Sequence, residues 1–311
     1  MNTGDLIYVA GHTGLIGSAL VRRLEGSGFT NLLLPKRADL ELTDNAEVAN
    51  FFEEQKPSYV LLAAGKVGGI LENRDFPMDF MTTNLNIQLN VLSAAAKNDV
   101  RGLVMFGSSC MYPRECAQPM SEDTLLSGKP EPTSIAYAMA KLTGVHMCLA
   151  YNRQNSSQKF IPIIPNSAFG PNDNFDEQSG HVLSVLLRRF HEAKEKGESE
   201  VTIWGSGTPR REFVYSDDIA DAAIHLMSHV APATVLPINV GIGSDLSIKD
   251  LAVQIAEVVG FDGVIKLDRT KPDGAPRKLL DSSRINAMGW KPKTSFLEGL
   301  NKTYEWYKSN V

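Results

Sequence analysis

Two short segments in the first half of the chain carry the side chains best suited to acid–base chemistry. The segment GSSCMYP places Ser108 and Cys110 directly after an apolar run, and YAMAK places Tyr137 and Lys141 four residues apart. A spacing of four puts Tyr137 and Lys141 on one face of a helix, one turn from each other. An ammonium beside a phenol lowers the phenol's pKa, so this pair could move a proton near neutrality. The same spacing also fits an ordinary half-buried helix.

A thiol and an imidazole are further candidate proton carriers. Their unperturbed pKa values are about 8.5 and about 6.5. Near neutral pH a thiolate beside a cation could therefore remove a proton and an imidazole could return one; Cys110 and His181, at the start of a predicted helix, are residues of these two types. The alternatives are a small buried hydrophobe for Cys110 and a cap or surface histidine for His181. Because the three cysteines match no paired metal spacing, we expect free thiols in a reducing compartment and no metal site.

A glycine turn near the N-terminus is a candidate phosphate-binding site. Gly11, Gly14 and Gly17 form GHTGLIG between an apolar run and a helical pattern. Small residues there let the backbone approach a pyrophosphate, and the following helix N-terminus favours its charge. The alternative is a tight turn that only packs the helix. The strand–turn–helix context favours dinucleotide binding.

The residues after the second predicted strand indicate which dinucleotide is preferred. A site that prefers NAD usually offers a carboxylate to the ribose 2′-hydroxyl, whereas this chain has Lys36 and Arg37. Two cations suit a 2′-phosphate, so we predict NADP(H). Asp39 lies close by in the sequence, and a basic surface corner is the alternative interpretation.

The elements that would position these residues alternate between strands and helices. Such alternation predicts an α/β fold with a doubly wound parallel (Rossmann) sheet and a smaller C-terminal α/β substrate lobe. We expect residues 1–165 to bind the dinucleotide and residues 166–311 to bind mainly substrate, with about 212–245 returning to the first domain. The predicted strands are 6–10, 31–34, 59–64, 102–107 and 160–164. The predicted helices are 15–24, 46–54, 80–97, 138–151, 181–196, 218–229 and 248–259.

The composition narrows the classes of function. The chain has 311 residues, with 31 basic and 36 acidic side chains and a formal net charge of −5. A mildly acidic chain without a basic tract is a poor general binder of nucleic acid, because phosphate attraction needs clustered Lys and Arg. No run approaches the ~18 consecutive apolar residues that cross a bilayer, and no basic segment marks the N-terminus. We therefore expect small-molecule chemistry, with no membrane span and no visible secretion signal.

The chain resembles a known family over almost its whole length. A glycine turn, a serine after a central strand, and a Tyr and Lys one turn apart form the signature of the short-chain dehydrogenase/reductase superfamily. The GxxGxxG spacing and the long C-terminal half resemble its extended branch, which works on nucleotide sugars. Within it the chain is similar to the GDP-L-fucose synthases, through AGHTGLIGSAL, LLAAGKVGGI, GSSCMYP, EPTSIAYAMAKLTG, YNRQ, FGPNDNF, LLRRFHEA, WGSGTPRREF and KPDGAPRKLLD. It departs from them at Thr13, where many members carry a basic residue, and in FDEQSGH.

The resemblance implies an activity and a set of site residues. The activity is that of an NADPH-dependent bifunctional 3,5-epimerase/4-reductase, which converts GDP-4-keto-6-deoxy-D-mannose to GDP-L-fucose. Ser108, Tyr137 and Lys141 resemble the reductase triad, and Cys110 and His181 resemble the epimerisation base and acid. The implied NADP(H)-binding residues are Gly11, Thr13, Gly14, Leu15, Ile16, Gly17, Arg37, Ala63, Phe106, Gly107, Ser108, Tyr137, Lys141, Pro165, Ala168 and His181. The implied substrate-binding residues are Arg189, Trp204, Arg211 and Asp273, with the loop 66–69 bordering the sugar pocket.

The resemblance also implies a homodimer joined through a four-helix contact. From the free thiols and the composition we expect a cytoplasmic protein with neither nucleic acid nor membrane as a partner. Two other functions are kept as alternatives. One is another extended-branch nucleotide-sugar enzyme, such as a 4-epimerase that retains NAD and performs no net redox change. The other is a non-catalytic dinucleotide sensor, which we would expect to have lost Tyr137 or Lys141, although both are present.

Overall fold

The computed structural model describes residues 1–155, 157–231, 235–271 and 273–311. The strands are β1 (Ile7–Ala10), β2 (Leu32–Leu33), β3 (Tyr59–Leu62), β4 (Gly102–Phe106), β5 (Lys159–Pro165), β6 (Ser167–Phe169), β7 (Glu200–Trp204), β8 (Arg210–Arg211), β9 (Phe213–Tyr215), β10 (Ile238–Val240), β11 (Leu246–Ser247), β12 (Val264–Asp268) and β13 (Arg277–Lys278). The helices are α1 (Leu15–Gly26), α2 (Asn45–Gln55), α3 (Ile70–Asp75), α4 (Pro77–Lys97), α5 (Ile135–Gln154), α6 (Val182–Glu195), α7 (Ser216–His229), α8 (Ile248–Val259), α9 (Ser283–Ala287) and α10 (Phe296–Asn310).

A six-stranded parallel sheet, in the order β10-β5-β4-β3-β1-β2, forms the centre of the fold. Tyr8 of β1 lies opposite Leu33 of β2 and Val60 of β3, which fixes the register. The residues of β1, β3 and β4 are buried, as expected for strands covered on both faces. The chain order reverses between β1 and β3, and ligands of doubly wound sheets bind at this point. The predicted α/β fold is confirmed.

Helices cover both faces of the sheet. On one face α1 and α7 pack over the sheet through Leu20 and Leu226, among other fully buried side chains. On the other face α2, α4 and α5 pack through Phe52, Val91 and Val145. Among the described residues, no helix is both long enough and apolar enough to cross a membrane.

A second hydrophobic core lies mainly in the C-terminal half. Phe190 of α6, Ile255 of α8 and Leu300 of α10 are buried in it. Three small sheets accompany this core, formed by β7 with β12, by β8 with β11 and β13, and by β6 with β9. The chain also returns to the large sheet after this core begins, because β10 pairs with β5.

The helix starts differ in whether a side chain caps them. α2, α8 and α10 begin with side-chain caps, since Asp44, Ser247 and Ser295 accept hydrogen bonds from backbone N–H groups in the first turn. No side chain caps α1 at Gly14 or α6 at His181. The helices α3, α4, α5, α7 and α9 also begin without a side-chain cap, and candidate site residues lie at or near the starts of α1, α5 and α6.

Candidate active site

The glycine turn between β1 and α1 is built for close approach of a ligand. Gly11 has a φ of +79°, and a Cβ atom on Gly17 would lie 1.9 Å from the carbonyl oxygen of Gly11. Side chains at these two positions would therefore clash or strain the turn. A Cβ on Gly14 would come no closer than 3.6 Å to that oxygen, so Gly14 is required by backbone packing far less than Gly17.

The first turn of α1 is open to an anion. No side-chain cap fills it, and it contains no acidic residue. Thr13 and Gly14 are exposed, whereas Leu15 and Ile16 are half-buried. Free N–H groups and the positive end of the helix dipole favour a phosphate at this point. The turn thus fits the pyrophosphate of a dinucleotide.

The two cations after β2 interact with different residues. Arg37 is 84% exposed at its side chain and pairs with Glu41 at 2.9 Å. Lys36 lies near the glycine turn, since burial and the Lys36 charge together lower the pKa of His12. Both cations are exposed, but Lys36 is within electrostatic range of His12 in the turn, whereas Arg37 is paired with Glu41.

Most of the remaining predicted cofactor contacts lie at one edge of the large sheet, and Ala168 follows β5 in the separate strand β6. Parallel strands end at a common edge, so residues that follow them are brought together there. Gly107 is fixed at this edge because its N–H donates to the carbonyl oxygen of Ile163 at 2.7 Å. The residues at or just after strand ends are Ala63 behind β3, Phe106 and Gly107 at β4, Pro165 at the end of β5, and Ala168 in β6.

Ser108 begins a 3-10 turn, Ser109–Met111, at the end of β4. Its hydroxyl oxygen accepts a hydrogen bond from the N–H of Cys110 at 3.2 Å. This local bond holds the thiol next to the serine. The predicted proximity of Ser108 and Cys110 is therefore seen in the structure.

The Cys110 thiol has a cationic neighbour that sequence analysis missed. The Lys278 ammonium in β13 lies 3.6 Å from the Cys110 sulfur. Burial raises the pKa of this thiol, but the charge of Lys278 and hydrogen bonds involving Ser108, Lys278 and Ser134 lower it more. The pKa of Cys110 is therefore below its ordinary value, which favours a thiolate. Lys278 lies in the KPDGAPRKLLD segment, but no local pattern could link it with a cysteine 168 residues away.

Tyr137 lies near Ser108 and Cys110, but its pKa is raised, whereas the sequence predicted a lowered pKa. Burial raises the pKa of the phenol, the Cys110 charge raises it further, and a hydrogen bond with Ser108 offsets part of the rise. The expectation that Lys141 lowers the pKa of Tyr137 is wrong for this structure, because burial outweighs other effects. The Phe80 ring packs edge-on against Tyr137, with ring centroids 6.0 Å apart.

Lys141 lies one turn after Tyr137 on α5, as predicted, but points to the backbone of β4. Its ammonium donates to the carbonyl oxygen of Phe106 at 3.0 Å and lies 5.9 Å from the centre of the Tyr137 ring. Burial lowers the pKa of Lys141 to about 8. Lys141 therefore anchors α5 to β4 directly behind Ser108.

His181 lies at the start of α6, exposed to solvent. The loop before it contacts the predicted sugar loop, because the N–H of Gly69 donates to the carbonyl oxygen of Ser179 at 2.9 Å. Within the described ranges, no hydrogen bond or ion pair joins the His181 side chain to Cys110 or Tyr137. The structure thus gathers Ser108, Cys110 and Tyr137 and leaves His181 outside this group.

The two arginines predicted to bind substrate are held by backbone carbonyls. Arg211 donates to the carbonyl oxygen of Ala275 at 2.7 Å and interacts electrostatically with Cys110. Arg189 donates to the carbonyl oxygen of Thr202 at 2.9 Å. Arg211 therefore lies within electrostatic range of the thiol, whereas Arg189 lies against β7.

Trp204 and Asp273 lie at the surface near the end of β7. Trp204 is 49% exposed, so it is not a core aromatic, and the Lys271 ammonium lies 5.5 Å from its ring centre. Asp273 accepts hydrogen bonds from the backbone N–H of Ser206 at 2.9 Å and from its hydroxyl at 2.7 Å. An exposed indole next to a cation and a fixed carboxylate can offer stacking and hydrogen-bond contacts to a ligand.

The parallel sheet, the uncapped glycine turn and the Ser–Tyr–Lys set at the carboxyl edge define a dinucleotide-dependent enzyme of the extended short-chain dehydrogenase/reductase class. Residues 7–241 match the sequence profile of the NAD dependent epimerase/dehydratase family. A relative from Oryza sativa subsp. japonica, named probable GDP-L-fucose synthase 1, is 50% identical over 309 residues, covering 99% of this chain and 93% of the relative. The chain thus belongs to the NAD dependent epimerase/dehydratase family and, within it, to the GDP-L-fucose synthases.

Solved structures agree with this assignment. A GDP-mannoheptose C4 reductase from Campylobacter jejuni with NADP bound has a TM-score of 0.92 and 39% identity, covering 99% of both chains. A GDP-L-fucose synthetase from Naegleria fowleri bound to NADP has a TM-score of 0.92 and 28% identity, covering 100% of this chain and 94% of that chain.

Proposed function

We propose that this protein is an NADPH-dependent bifunctional enzyme that epimerises GDP-4-keto-6-deoxy-D-mannose at C3 and C5 and then reduces C4 to give GDP-L-fucose. The observation that carries the proposal is the meeting of Ser108, Cys110 and Tyr137 at the end of β4, with Lys278 on the thiol. This group combines a proton donor with a base. A keto sugar that must both exchange protons and accept hydride needs such a pair.

The carbonyl oxygen at C4 would lie between Tyr137 and Ser108. C3 and C5 are both alpha to this carbonyl, so loss of a proton from either carbon gives an enolate with its charge on the C4 oxygen. Two aimed hydrogen bonds stabilise that charge. The same oxygen becomes an alkoxide on reduction, so one pair of donors serves both reactions. Because the pKa of Tyr137 is raised, the phenol keeps its proton at neutral pH and can give it to the alkoxide.

The described residues fit NADP(H) as the cofactor, which when bound supplies the hydride for C4. The glycine turn and the open start of α1 would hold the pyrophosphate, as argued from the space at Gly14. Lys36 would meet a 2′-phosphate, with Arg37 able to approach from solvent. The relatives bound to NADP support this choice.

Proton removal is assigned to Cys110 and proton return to His181. The low pKa of Cys110 gives it a larger thiolate fraction at neutral pH than an ordinary cysteine has. The thiolate takes a proton from C3 or C5, and His181 delivers one to the opposite face of the ring, which inverts the carbon. Epimerisation must precede reduction, because reduction of the ketone removes the acidity of both C–H bonds.

The diphosphate and the nucleoside would be bound by the outer residues of the site. Arg211 and Arg189 have planar donor groups that can bind phosphate oxygens in pairs. Trp204 and Asp273 would contact the nucleotide sugar, the first by stacking and the second by accepting hydroxyl hydrogen bonds. Three placements support this assignment: Arg211 lies within electrostatic range of Cys110, Arg189 contacts Thr202, and Trp204 and Asp273 lie near the end of β7.

The outward faces of α4 and α5 support a homodimer. Met78 and Leu89 on α4, and Ile135 and Met139 on α5, are between 39% and 64% exposed. Exposed apolar side chains on two adjacent helices suit burial against the same helices of a second copy. The three free cysteines further suit a cytoplasmic location.

NMR analysis of the product formed from NADPH and the GDP-keto sugar in deuterated water tests the proposed function. We expect a C4 alcohol of the L-galacto configuration with deuterium at C3 and C5, and stoichiometric oxidation of NADPH. A reduced sugar without deuterium would identify a simple C4 reductase. Keto sugar recovered unchanged, without net oxidation of NADPH, would favour an enzyme with no net redox change, such as a 4-epimerase that acts on a C4 alcohol.

A further inference from the structure

Two buried polar residues hold the backbone of Lys278 in β13. The side-chain amide of Asn166 donates to the carbonyl oxygen of Lys278 at 3.2 Å, and the backbone N–H of Glu212 donates to the same oxygen at 3.3 Å. Two residues further on, the N–H of Leu280 donates to the Glu212 carboxylate at 3.0 Å. Both ends of the segment 278–280 are therefore bonded to Glu212.

Asn166 and Glu212 are also bonded to each other. The Asn166 amide donates to the Glu212 carboxylate at 2.6 Å, and the two residues are 5% and 0% exposed. The other carboxylate oxygen accepts from the N–H groups of Ile242 at 2.7 Å and Gly243 at 2.8 Å. A Cβ atom on Gly241 would lie only 2.5 Å from that oxygen, so the carboxylate has little room to move. The Asn166–Glu212 pair is thus anchored to the loop that follows β10.

The strand that carries Lys278 needs such support. It has only two residues, Arg277 and Lys278, and these pair with Arg210 and Arg211 of β8. The flexible side chain of Lys278 places its ammonium 3.6 Å from the Cys110 sulfur. Because attraction between charges weakens with distance, a displacement of this short strand would weaken the effect of the ammonium on the thiol.

We propose that Asn166 and Glu212 are positioning residues that hold the Lys278 ammonium against the Cys110 thiol. This inference rests on the proposed function, in which the Cys110 thiolate removes a proton from C3 or C5 of the keto sugar. Asn166 and Glu212 act through the backbone of Lys278 and need no contact with the substrate. The ammonium that they position favours the thiolate.

Glu212→Gln tests the proposal on the thiol, without substrate. Gln has nearly the size of Glu, but its amide nitrogen cannot accept the N–H bonds made to one of the carboxylate oxygens. We expect the pH profile of Cys110 alkylation by iodoacetamide, followed by mass spectrometry, to move to higher pH by about half a unit. Below the pKa of the thiol, deuterium exchange at C3 and C5 of the keto sugar should fall about threefold.

Asp218→Asn is the matched control for loss of a buried carboxylate. Asp218 is 3% exposed and accepts backbone N–H bonds from Lys293 at 3.1 Å and Thr294 at 3.0 Å. Both variants should lower the unfolding temperature, but Asp218→Asn should keep the wild-type alkylation profile. An equal shift in Asp218→Asn would indicate a general loosening of the fold and would overturn the proposal.

A double-mutant cycle shows whether Glu212 acts through Lys278. Arg211 of β8 and Tyr137 of α5 are also within electrostatic range of Cys110. In a Lys278→Met background, we expect Glu212→Gln to cause no further shift of the alkylation profile. A further shift of similar size would show that Glu212 acts through another group, and an unshifted profile in the single variant would show that it does not act on the thiol. Either result would overturn the proposal.

Asn166→Ala provides a second test, which also serves if Glu212→Gln fails to fold. It removes the amide bond to the Lys278 carbonyl oxygen and leaves Glu212 its three backbone N–H partners. The alkylation profile should again move to higher pH, and a wild-type profile would contradict the proposal. Failure of the proposed function would look different, because the wild-type enzyme would incorporate no deuterium at C3 and C5 while the alkylation shifts persisted.

Discussion

Two neighbouring side chains in this site have pKa values that are shifted in opposite directions. Burial raises the pKa of Tyr137, whereas Lys278 and hydrogen bonds lower the pKa of Cys110. The pair therefore offers an acid and a base at the same pH, next to a single serine hydroxyl. The sequence showed which residue types were present but not which way each pKa would shift, because the cation beside the thiol comes from β13.

The role of Lys278 can be tested on the thiol itself. Lys278→Met removes the ammonium 3.6 Å from the sulfur, so the pKa of Cys110 should rise. Only the thiolate reacts with iodoacetamide, and the pH profile of alkylation should therefore move to higher pH by about one unit. Mass spectrometry of the peptide that contains Cys110 measures this rate.

Lys271→Met is the control for this change, since Lys271 lies over Trp204 rather than beside the thiol. Its alkylation profile should match that of the wild type. An identical profile for Lys278→Met would show that another group sets the pKa of Cys110.

Local sequence patterns predict some of the helices and strands but not others. The predicted helix 138–151 lies within α5, and the predicted strand 59–64 contains β3, because both have clear periodicity or continuous apolar runs. α3 (Ile70–Asp75) was not predicted, since six residues hold no helical repeat. The uncapped starts of α1 and α6 are visible only once the structure shows that no side chain fills them.

The glycine turn between β1 and α1 leads to a prediction about NADPH binding. Gly14→Ala adds a Cβ no closer than 3.6 Å to the Gly11 oxygen, so the protein should fold normally. The added methyl group faces the open start of α1, and we expect NADPH to bind roughly tenfold more weakly. Fluorescence titration of NADPH and thermal unfolding provide the two measurements.

Gly17→Ala is the contrasting variant in the same turn. Its Cβ would lie 1.9 Å from the Gly11 oxygen, so the turn must move and the unfolding temperature should fall. If Gly14→Ala bound NADPH as tightly as the wild type, the pyrophosphate would not approach this part of the turn.

Across the whole molecule, a buried carboxylate joins distant segments behind the site. Glu212 is fully buried and accepts N–H hydrogen bonds from Ile242 at 2.7 Å, Gly243 at 2.8 Å and Leu280 at 3.0 Å. The last of these bonds lies two residues after Lys278, so it fixes the strand that carries the ammonium to Cys110. Such long-range connections cannot be predicted from local sequence, because they depend on how the two hydrophobic cores meet.

Introducing a charged side chain on the apolar face of α4 tests the proposed homodimer. Leu89→Glu replaces a side chain that is 52% exposed, and a buried unpaired carboxylate would oppose association of two copies. By light scattering coupled to size-exclusion chromatography, we expect this variant to be a monomer and the wild type to be a dimer. Leu297→Glu, at a 50% exposed position on α10, should stay dimeric. A dimeric Leu89→Glu protein would place the interface elsewhere.

The central claim is that the C4 oxygen of the keto sugar carries the negative charge during both proton exchange and reduction, and that Tyr137 and Ser108 bind it in both reactions. Its most direct test measures deuterium incorporation at C3 and C5 and NADPH oxidation in the same samples of wild type, Tyr137→Phe and Cys110→Ser. Tyr137→Phe should reduce C4 about 100-fold more slowly, because it lacks the proton donor. Cys110→Ser should lose deuterium exchange at both carbons, and exchange at the wild-type rate in this variant would contradict the account.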